Sequence, residues 1–510
     1  MITSSPSTSS PRHRGRELPL VIQGGMGVGV SSWRLASAVA RLGQLGVVSG
    51  IALDAVLARR LQDGDRDGTV RRALAAFPVP EVVTRALKRY FRPEGRPPGT
   101  PYAAVPRLAL RQHRSAQELA ILGNFVEVWL AKEGHDGQVG VNFLEKVQMA
   151  TPAAAYGAML AGVDYVLMGA GIPREIPHLL NKLAGHEPVR LPVDVIGAEP
   201  GSQAVELDPV ALLGTGIPPL VRPMFLAIVS AHVLASYLAR DEHIRPDGFV
   251  IEGPQAGGHN APPRGRLVLD ELGQPVFGPR DDADIAKVAE VGLPFWIAGS
   301  QGTPDALVGA RAAGAAGVQV GTLFALSDDS GLTGTLRDEL MTRLRAGTLE
   351  IRTDPLASPT GFPFKVAQIP DTLSAPEVVA ARPRLCDLSY LRTPYVKDNG
   401  SIGYRCPSEP VEDFVRHGGT IEETVGRACL CNALMANVGF AQTRLDGYTE
   451  DPLVTLGADL DGARRLAERH REGWSAATAL EWLLSGVRSL SALASAPTPG
   501  WAGAPRPARV

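Results

Sequence analysis

The sequence predicts an α/β fold: a (β/α)8 TIM barrel with a helical insertion and a mostly helical C-terminal extension. Two observations predict the barrel. Eight short apolar runs recur between residues 18 and 322, most of them leading into glycine or small polar residues, and Ala-rich helical segments separate several of them. Strand and helix repeated eight times is typical of a closed parallel barrel. With 510 residues, 45% of them hydrophobic, the chain can bury a core of this size.

The eight apolar runs lack the alternation of apolar and polar residues that a strand with one exposed face would show. Continuous apolar runs are typical of parallel strands covered on both faces. In chain order the predicted strands are LPLVIQGG (Leu18–Gly25), LGVVSG (Leu45–Gly50), QVGVNF (Gln138–Phe143), VDYVLMGAG (Val163–Gly171), MFLAIVS (Met224–Ser230), GFVIEG (Gly248–Gly253), PFWIAGS (Pro294–Ser300) and GVQVGT (Gly317–Thr322).

Helical segments lie between several of these strands. An open doubly wound sheet is the alternative, and QGGMGVG would then be its phosphate-binding turn after the first strand. Glycine turns after strands six, seven and eight favour the barrel, because barrels build their sites from all C-terminal loops and often bind phosphate after strands seven and eight. The predicted helices are Ser31–Gly43, Thr151–Gly162, Ser230–Asp241, Asp281–Gly292 and Thr303–Gly314.

The remaining segments define the predicted domain organisation. A helical insertion at residues 55–137 follows strand two, and we expect it to cover the barrel mouth or an oligomer face. The stretch Pro188–Pro209 predicts an extra hairpin, and the polar, Pro-rich stretch Thr353–Val366 predicts a loop over the mouth in which Lys365 is a surface charge. The predicted boundaries are a disordered tail (1–17), the barrel (18–335), a helical and loop extension (336–490) and a second disordered tail (491–510).

Composition limits the classes of function. Charged residues make up 20% of the chain and its formal net charge is −2, so it has no overall attraction for nucleic acid or an anionic membrane. No apolar run reaches the ~18 residues that a spanning helix needs, and the N-terminal stretch lacks the apolar centre of a signal peptide. We therefore expect a soluble cytoplasmic enzyme that acts on a small molecule, without nucleic acid or membrane partners.

The four cysteines lie close together near the C-terminus. Cys386, Cys406, Cys429 and Cys431 occupy one stretch of a long chain, which argues against a disulfide scaffold. Zinc and iron–sulfur sites usually have paired C-x-x-C spacing, whereas the one close pair has a single intervening residue. We expect four buried free thiols and no metal, with a metal site as the alternative.

The residues that follow the predicted strands are mostly small. Active sites of these barrels lie at the C-terminal ends of the strands. Glycines there leave backbone N–H groups free to approach a flat ring system or a phosphate, and the last two turns are suited to a single phosphate. The candidates are Gly24, Gly25, Met26 and Gly27; Asn142; Ala256, Gly257, Gly258 and His259; Gly299, Ser300, Gln301 and Gly302; and Gly321 and Thr322.

Five of these stretches together resemble a known family. IQGGMG in the first strand, VGVNF in the third, EGPQAGGH in the sixth, IAGSQG in the seventh and GVQVGT in the eighth resemble the nitronate monooxygenases, formerly 2-nitropropane dioxygenases. The A-G-G-H element is the most specific, and the C-terminal region resembles a longer bacterial branch of the family. The resemblance covers about residues 18–330 and implies a (β/α)8 barrel with FMN at its C-terminal mouth.

The resemblance also implies roles for individual residues. His259 would be the catalytic base toward a nitroalkane or would position the nitronate, which is oxidised with O2 to a carbonyl compound and nitrite. An imidazole suits this role because its pKa lies close to physiological pH. The implied FMN-binding residues are Gly24, Gly25, Met26, Asn142, Ala256, Gly257, Gly258, Gly299, Ser300, Gly302, Gly321 and Thr322.

Other activities remain open at this point. FMN-dependent enoyl-acyl carrier protein reductases, with their polyketide and fatty acid relatives, share the Q-G-G-M and E-x-x-x-A-G-G-H elements. They reduce an enoyl thioester with NAD(P)H. Quinone reduction by NAD(P)H and a non-enzymatic flavin-binding barrel are further alternatives. The sequence predicts a small-molecule substrate, a nitronate or an enoyl thioester, and allows a homodimer.

Overall fold

A computed structural model of the chain describes residues 17–495. Of the two predicted disordered tails, residues 1–16 and 496–510 lie outside the described range. The last helix continues to Ser495 and so includes the first five residues of the predicted second tail.

Eight parallel strands close into a barrel in the order β1-β10-β9-β8-β7-β4-β3-β2. The barrel closes where β1 pairs with both β10 and β2. The remaining strands form three antiparallel pairs, β5 with β6, β11 with β12 and β13 with β14. The strands are β1 (Val21–Gln23), β2 (Leu45–Ser49), β3 (Val139–Leu144), β4 (Tyr165–Gly169), β5 (Val189–Pro192), β6 (Ala204–Leu207), β7 (Met224–Val229), β8 (Gly248–Glu252), β9 (Phe295–Ala298), β10 (Gly317–Val320), β11 (Ile351–Asp354), β12 (Phe364–Ala367), β13 (Thr393–Val396) and β14 (Ile402–Arg405).

Helices surround the barrel and make up part of the extension. They are α1 (Trp33–Ala40), α2 (Leu53–Gln62), α3 (Thr69–Ala75), α4 (Pro80–Tyr90), α5 (Arg114–Lys132), α6 (Thr151–Leu160), α7 (Ile176–Ala184), α8 (Pro209–Leu213), α9 (His232–Arg240), α10 (Ile285–Ala289), α11 (Pro304–Ala312), α12 (Thr322–Ala325), α13 (Gly334–Ala346), α14 (Pro376–Ala381), α15 (Val411–Arg416), α16 (Leu430–Ala436), α17 (Asp461–Arg469) and α18 (Ala476–Ser495). Short 3₁₀ segments occur at Glu145–Ala150 and Glu422–Thr424.

The predicted barrel is confirmed: seven of the eight predicted runs contain one barrel strand each, and β3 extends one residue beyond its run, to Leu144. The five predicted helices correspond to α1, α6, α9, α10 and α11, and the predicted hairpin corresponds to β5 and β6. The other seven strands are shorter than their predicted runs, mostly because terminal glycines and small residues lie in the turns.

The barrel interior is filled by alternate residues of its strands. Large buried side chains such as Leu167, Val250 and Trp296 fill its lower part. Two positions further along the strands, toward the C-terminal mouth, the inward residues become small or polar, as at Ser49 on β2 and Glu252 on β8. This change leaves room for a site at the mouth.

The helical insertion is present as α2 to α5. Glycines let its helices pack closely: a Cβ on Gly123 of α5 would lie 2.4 Å from the Leu53 carbonyl oxygen, and one on Gly157 of α6 would lie 2.2 Å from that of Ile121. The insertion also contacts the extension, since the Tyr390 hydroxyl donates to the buried Asp54 carboxyl at 2.6 Å. Ile51, just before α2, lines a cavity at the barrel mouth.

The C-terminal extension contains the predicted helices together with the pairs β11–β12 and β13–β14. An ion-pair network holds part of it, in which the buried Glu450 contacts Arg382 at 2.8 Å and Arg444. The extension reaches the barrel through β12, where Phe364 pairs with His259. The predicted loop at 353–366 therefore does lie against the mouth.

Candidate active site

Glycine turns at the C-terminal mouth surround an open space of about 980 Å³, which we call the glycine cavity. Turns after β1, β8, β9 and β10 contribute to it, as expected for a barrel whose site lies at the strand ends. Its lining residues are Gly24–Gly27, Glu252, Gln255–Gly258, Ala298–Thr303, Gln319–Leu323, Thr455–Gly457, Asp459, Gly462 and Ala463.

Two glycines in the turns after β1 and β8 have no room for a side chain. A Cβ on Gly25 would lie 2.3 Å from the Asn142 Cβ, and one on Gly257 would lie 2.9 Å from the Leu456 carbonyl carbon. Gly299 and Ser300 both have positive φ, +84° and +55°. This conformation is costly for serine, so the turn after β9 holds backbone strain at the site.

The extension closes the glycine cavity on one side. The Gly457 N–H donates to the Thr322 hydroxyl oxygen at 3.0 Å, and the Gly258 N–H donates to the Thr455 hydroxyl oxygen at 2.8 Å. A Cβ on Gly462, in the first turn of α17, would lie 2.0 Å from the Gly302 carbonyl oxygen. Thr455, Gly457 and Gly462 were not predicted from the sequence, because each contacts a residue more than a hundred positions away.

Two amide side chains at the mouth carry unpaired oxygens. Asn142 Nδ2 donates to the Gly25 carbonyl at 3.2 Å. The Oδ1 of Asn142 and the Oε1 of Gln319 are buried and accept no hydrogen bond from any described residue. Both residues line a cavity at the mouth, so these oxygens are free to accept from a ligand with N–H or O–H groups.

A second space adjoins the first, and we call it the apolar cavity. It has a volume of about 1030 Å³ and shares Gly25, Glu252, Gly258 and other residues with the glycine cavity. Its apolar lining comes from the barrel and its loops and from the extension: Val28, Ile51, Phe143, Leu144, Val147, Ile228, Phe364, Leu391, Leu430 and Leu434. A pocket of this character suits an apolar substrate beside a cofactor.

His259 lies in the wall of the apolar cavity. Its Nε2 is 2.7 Å from the Oγ of Ser358, which is fully buried. Its ring contacts Phe364 edge-on, with ring centroids 4.8 Å apart. Burial, helped by the positive charge of Lys146, lowers the pKa of His259 to about 4. The imidazole is therefore neutral at physiological pH and is a weak base.

Glu252 stands at the end of β8 and was not among the predicted site residues, although it lies in the EGPQAGGH motif. Its carboxyl has no hydrogen bond or ion pair with any described residue. Burial alone raises the pKa of Glu252 to about 7. A carboxyl of this kind is half protonated at neutral pH and is a candidate acid.

A third space, the side cavity, opens beside Glu252 and His259. It is lined on its outer side by Arg264, Phe277 and Phe362. Lys146 Nζ lies over the Phe362 ring at 4.5 Å. The side cavity connects the two titratable groups to the protein surface.

The prediction that Lys365 is a surface charge is wrong. Lys365 is only 2% exposed, and its Nζ donates to the Thr353 hydroxyl oxygen at 2.5 Å. The backbone N–H of Lys365 donates to the Gly258 carbonyl at 3.0 Å, which places this lysine beside the A-G-G-H turn. Burial lowers the pKa of Lys365 to about 8. The residue is buried because β12 packs against the turn and against Phe277, which its own sequence neighbourhood does not reveal.

The four cysteines lie around one small cavity in the extension, and Cys431 also lines the apolar cavity. All four are free thiols, but only Cys406 and Cys429 are fully buried, so the expectation of four buried thiols is wrong for the half-buried Cys386 and Cys431. Burial raises the pKa values of Cys406, Cys429 and Cys431, the second to about 11. Between residues 17 and 495, no three His, Cys, Asp or Glu side chains are grouped as metal ligands.

The structure brings all of the predicted site residues to one mouth. The glycine cavity is lined by Gly24, Gly25, Met26, Ala256, Gly257, Gly258, Gly299, Ser300, Gly302, Gly321 and Thr322, and the apolar cavity by Asn142 and His259. Their roles toward a ligand remain predictions. Glu252, Gln319, Ser358 and residues 455–463 were missed. For Glu252 and Gln319 a signal existed, since each is a polar residue at an inward position of an otherwise apolar strand.

The cavities and unpaired groups are compatible with FMN. The isoalloxazine ring has an N–H between two carbonyl groups, which suits the unpaired oxygens of Asn142 and Gln319. The glycine turns after β9 and β10 and the Thr322 hydroxyl suit a phosphate. Two acidic side chains, Asp459 and Glu252, are among the described residues that line the glycine cavity, and a negative charge there is unfavourable for a phosphate.

Comparisons with known proteins give remote likenesses. No protein-family model and no curated protein matches the chain. Similar solved structures include FabK from Thermotoga maritima (14% identity, 94% of this chain and 95% of that chain covered, TM-score 0.44), nitroalkane oxidase from Streptomyces ansochromogenes (16%, 94% and 99%, TM-score 0.42), and the enoyl reductase domain of MlnA from Bacillus amyloliquefaciens (10%, 94% and 97%, TM-score 0.47). These likenesses are too remote to assign an activity, and the barrel assignment rests on the strand pairing of this chain.

Within residues 17–495, every helix is too short or too polar to span a lipid bilayer.

Proposed function

We propose that this protein is an FMN-dependent oxidoreductase that reduces a neutral, largely apolar enoyl thioester with NAD(P)H. The observation that carries the proposal is the continuity of two cavities at the barrel mouth. The glycine cavity has the backbone character that a flavin and its phosphate require, and the apolar cavity places His259 and Glu252 beside it.

FMN would be held mainly by the backbone. Gly24, Gly25 and Gly257 would allow the ring to approach, and Gly302, Gly321 and Thr322 would hold the phosphate. Asn142 and Gln319 would accept from the polar groups of the ring. When bound, FMN supplies the hydride chemistry, and the residues of this chain orient the substrate and exclude water.

The lining of the apolar cavity favours a neutral substrate. No lysine or arginine is among the described residues that line it, and its titratable groups include the carboxyl of Glu252 and the neutral imidazole of His259. A nitronate is an anion, and placing it there without a cation would be costly. Deprotonation of a neutral nitroalkane is disfavoured as well, because a base with a pKa of about 4 is weak at neutral pH.

Nitronate oxidation is the activity that the sequence resemblance implies first, and it remains the competing reaction. Lys146 is the observation in its favour, because this cation acts electrostatically on His259. However, Lys146 lies over the Phe362 ring and is not part of the lining of the apolar cavity. The pocket therefore supports thioester reduction better.

Anaerobic spectroscopy of the purified protein tests the proposal. We expect a yellow protein from which denaturation releases FMN, whose flavin absorbance is bleached by NADPH or NADH and restored by a short-chain 2-enoyl thioester of N-acetylcysteamine. The control is the same sequence of additions to free FMN in buffer. Bleaching by an alkyl nitronate without response to either nicotinamide would contradict the proposal and assign nitronate oxidation.

A further inference from the structure

Glu252 has an unusual position among the described residues. It alone lines all three cavities at the barrel mouth. It follows Val250, which is fully buried inside the barrel, by two positions on β8, so its side chain also points inward. The carboxyl is therefore next to the glycine cavity, next to the apolar cavity, and connected to the surface by the side cavity.

The carboxyl of Glu252 is also without partners in the described structure. No cation or hydrogen-bond donor among the described residues contacts this carboxyl. Burial is the sole cause that raises its pKa. Glu252 is half-buried and lines the cavities, whereas a carboxyl kept for structural reasons is normally paired. A partner-free acid facing a ligand cavity indicates a group that acts on the ligand.

The nearby titratable groups are less suited to give a proton. His259 is a neutral imidazole with a lowered pKa, and its Nε2 is engaged with Ser358. Lys365 is buried beneath the turn, where its Nζ donates to Thr353, and Lys146 lies over Phe362 outside the apolar cavity. Glu145, near the mouth on Glu145–Ala150, accepts from Gln148 at 2.6 Å. The thiol of Cys431 has a pKa raised by burial.

We propose that Glu252 is the proton donor of the reduction, a role that rests on the function proposed above. Reduction of the C=C bond adds a hydride to one carbon and a proton to the other, and the hydride originates from the dihydronicotinamide. The O–H bond of Glu252 breaks as a C–H bond forms at the carbon next to the thioester carbonyl. The resulting carboxylate recovers its proton from water through the side cavity.

Rapid mixing of the reduced holoenzyme with the 2-enoyl thioester tests this role in Glu252→Gln, which keeps the shape but has no acidic proton. We expect thioester-dependent reoxidation to slow on the order of 10²- to 10⁴-fold, the range for loss of general acid catalysis. Reduction by NADPH should stay within about twofold, because it needs no proton from Glu252. In the wild type, reoxidation should slow as pH rises above about 7, and this limb should be absent in the variant.

Two further variants serve as controls on the rate, and an infrared measurement gives a readout independent of activity. Glu252→Asp retains an acid at shorter reach and should recover part of the rate, and Glu290→Gln, at an exposed glutamate, should leave it unchanged. The wild-type protein should show a protonated carboxyl C=O band below pH 7 that is missing in Glu252→Gln.

The outcomes separate this role from the proposed function. Equal reoxidation rates in wild type and Glu252→Gln would overturn the role of Glu252 alone. Absence of the C=O band would do the same. A wild-type flavin that NADPH reduces but no enoyl thioester reoxidises would instead overturn the proposed substrate, and the role with it.

Discussion

His259 Nε2 lies 2.7 Å from Ser358 Oγ, across 99 positions of the chain. The histidine follows a barrel strand and the serine belongs to the extension, so the candidate active site is complete only when the extension is folded over the mouth. Ser358 Oγ is also 2.8 Å from the Thr360 hydroxyl oxygen. Ser358 thus fixes the orientation of the imidazole and is itself fixed by its neighbour.

Replacing Ser358 with alanine should lower kcat and leave FMN binding intact. The substitution removes the hydrogen-bond partner of a half-buried imidazole, a loss of about 1–3 kcal/mol, which corresponds to about 5- to 150-fold if it is expressed in the rate. The pH dependence of activity should also shift, because a hydrogen bond that favours one protonation state of an imidazole changes its pKa, and the substitution removes that bond. Steady-state kinetics across the pH range measures both effects.

Ser408→Ala is a matched control for loss of a buried hydroxyl. Ser408 is 3% exposed and donates to the Ala428 carbonyl at 2.7 Å in the extension. It should lose stability without a change in the pH profile. If Ser358→Ala behaved in the same way as Ser408→Ala, Ser358 would have only a packing role.

Gly321 tests the phosphate site. Its φ is −106° and a Cβ would lie 3.4 Å from the Met26 Sδ, so alanine can be accommodated. Gly321→Asp should bind FMN at least about 100-fold more weakly, because two like charges about 4 Å apart near a protein surface repel by about 4 kcal/mol. Fluorescence titration of the flavin-free proteins measures the affinity.

Gly321→Ala is the control and should bind FMN with an affinity close to that of the wild type. Circular dichroism should show the same folded content in both variants. An aspartate variant that is fully occupied by FMN would place the phosphate elsewhere.

The barrel could be predicted from the sequence because its determinants are local. Each buried strand is a continuous apolar run, and each strand end such as Gly299–Ser300 carries its own turn residues. The extension could not be placed, because its contacts join distant positions. Thr455 accepts from the N–H of Gly258 across 197 residues, and nothing in the sequence around either residue indicates that pairing. Glu252 was visible in the motif, but its lack of partners is a property of the folded site.

Lys365→Met should stabilise the protein near neutral pH or leave its stability unchanged. The ammonium group is buried with Thr353 as its hydrogen-bond acceptor, and a lowered pKa means that folding disfavours its charged form. Lowering the pKa of Lys365 from 10.5 to about 8 corresponds to at most about 3 kcal/mol of unfolding free energy. The wild type should therefore gain stability as pH rises from about 8 to 10.5, since the unfolded chain binds more protons in that window.

Thermal unfolding of wild type and Lys365→Met across this window gives the difference, with Lys397→Met as the exposed-lysine control. The control should follow the wild type. If Lys365→Met were several kcal/mol less stable to unfolding than the wild type at every pH, the folded state would instead stabilise the charged form of the lysine.

His259→Asn should make the protein less sensitive to acid. Burial holds the folded-state pKa of His259 at about 4, against 6.5 for the ordinary side chain. The unfolded chain therefore binds more protons between these two values, so the contribution of His259 to stability is present above pH 6.5 and is lost as pH falls toward 4. Because the side chain is half-buried, we expect the loss to be about 1–3 kcal/mol. Urea unfolding of wild type and variant at pH 6.5 and at pH 4 measures this loss. An equal loss of stability in the two proteins would show that folding does not lower the pKa of His259.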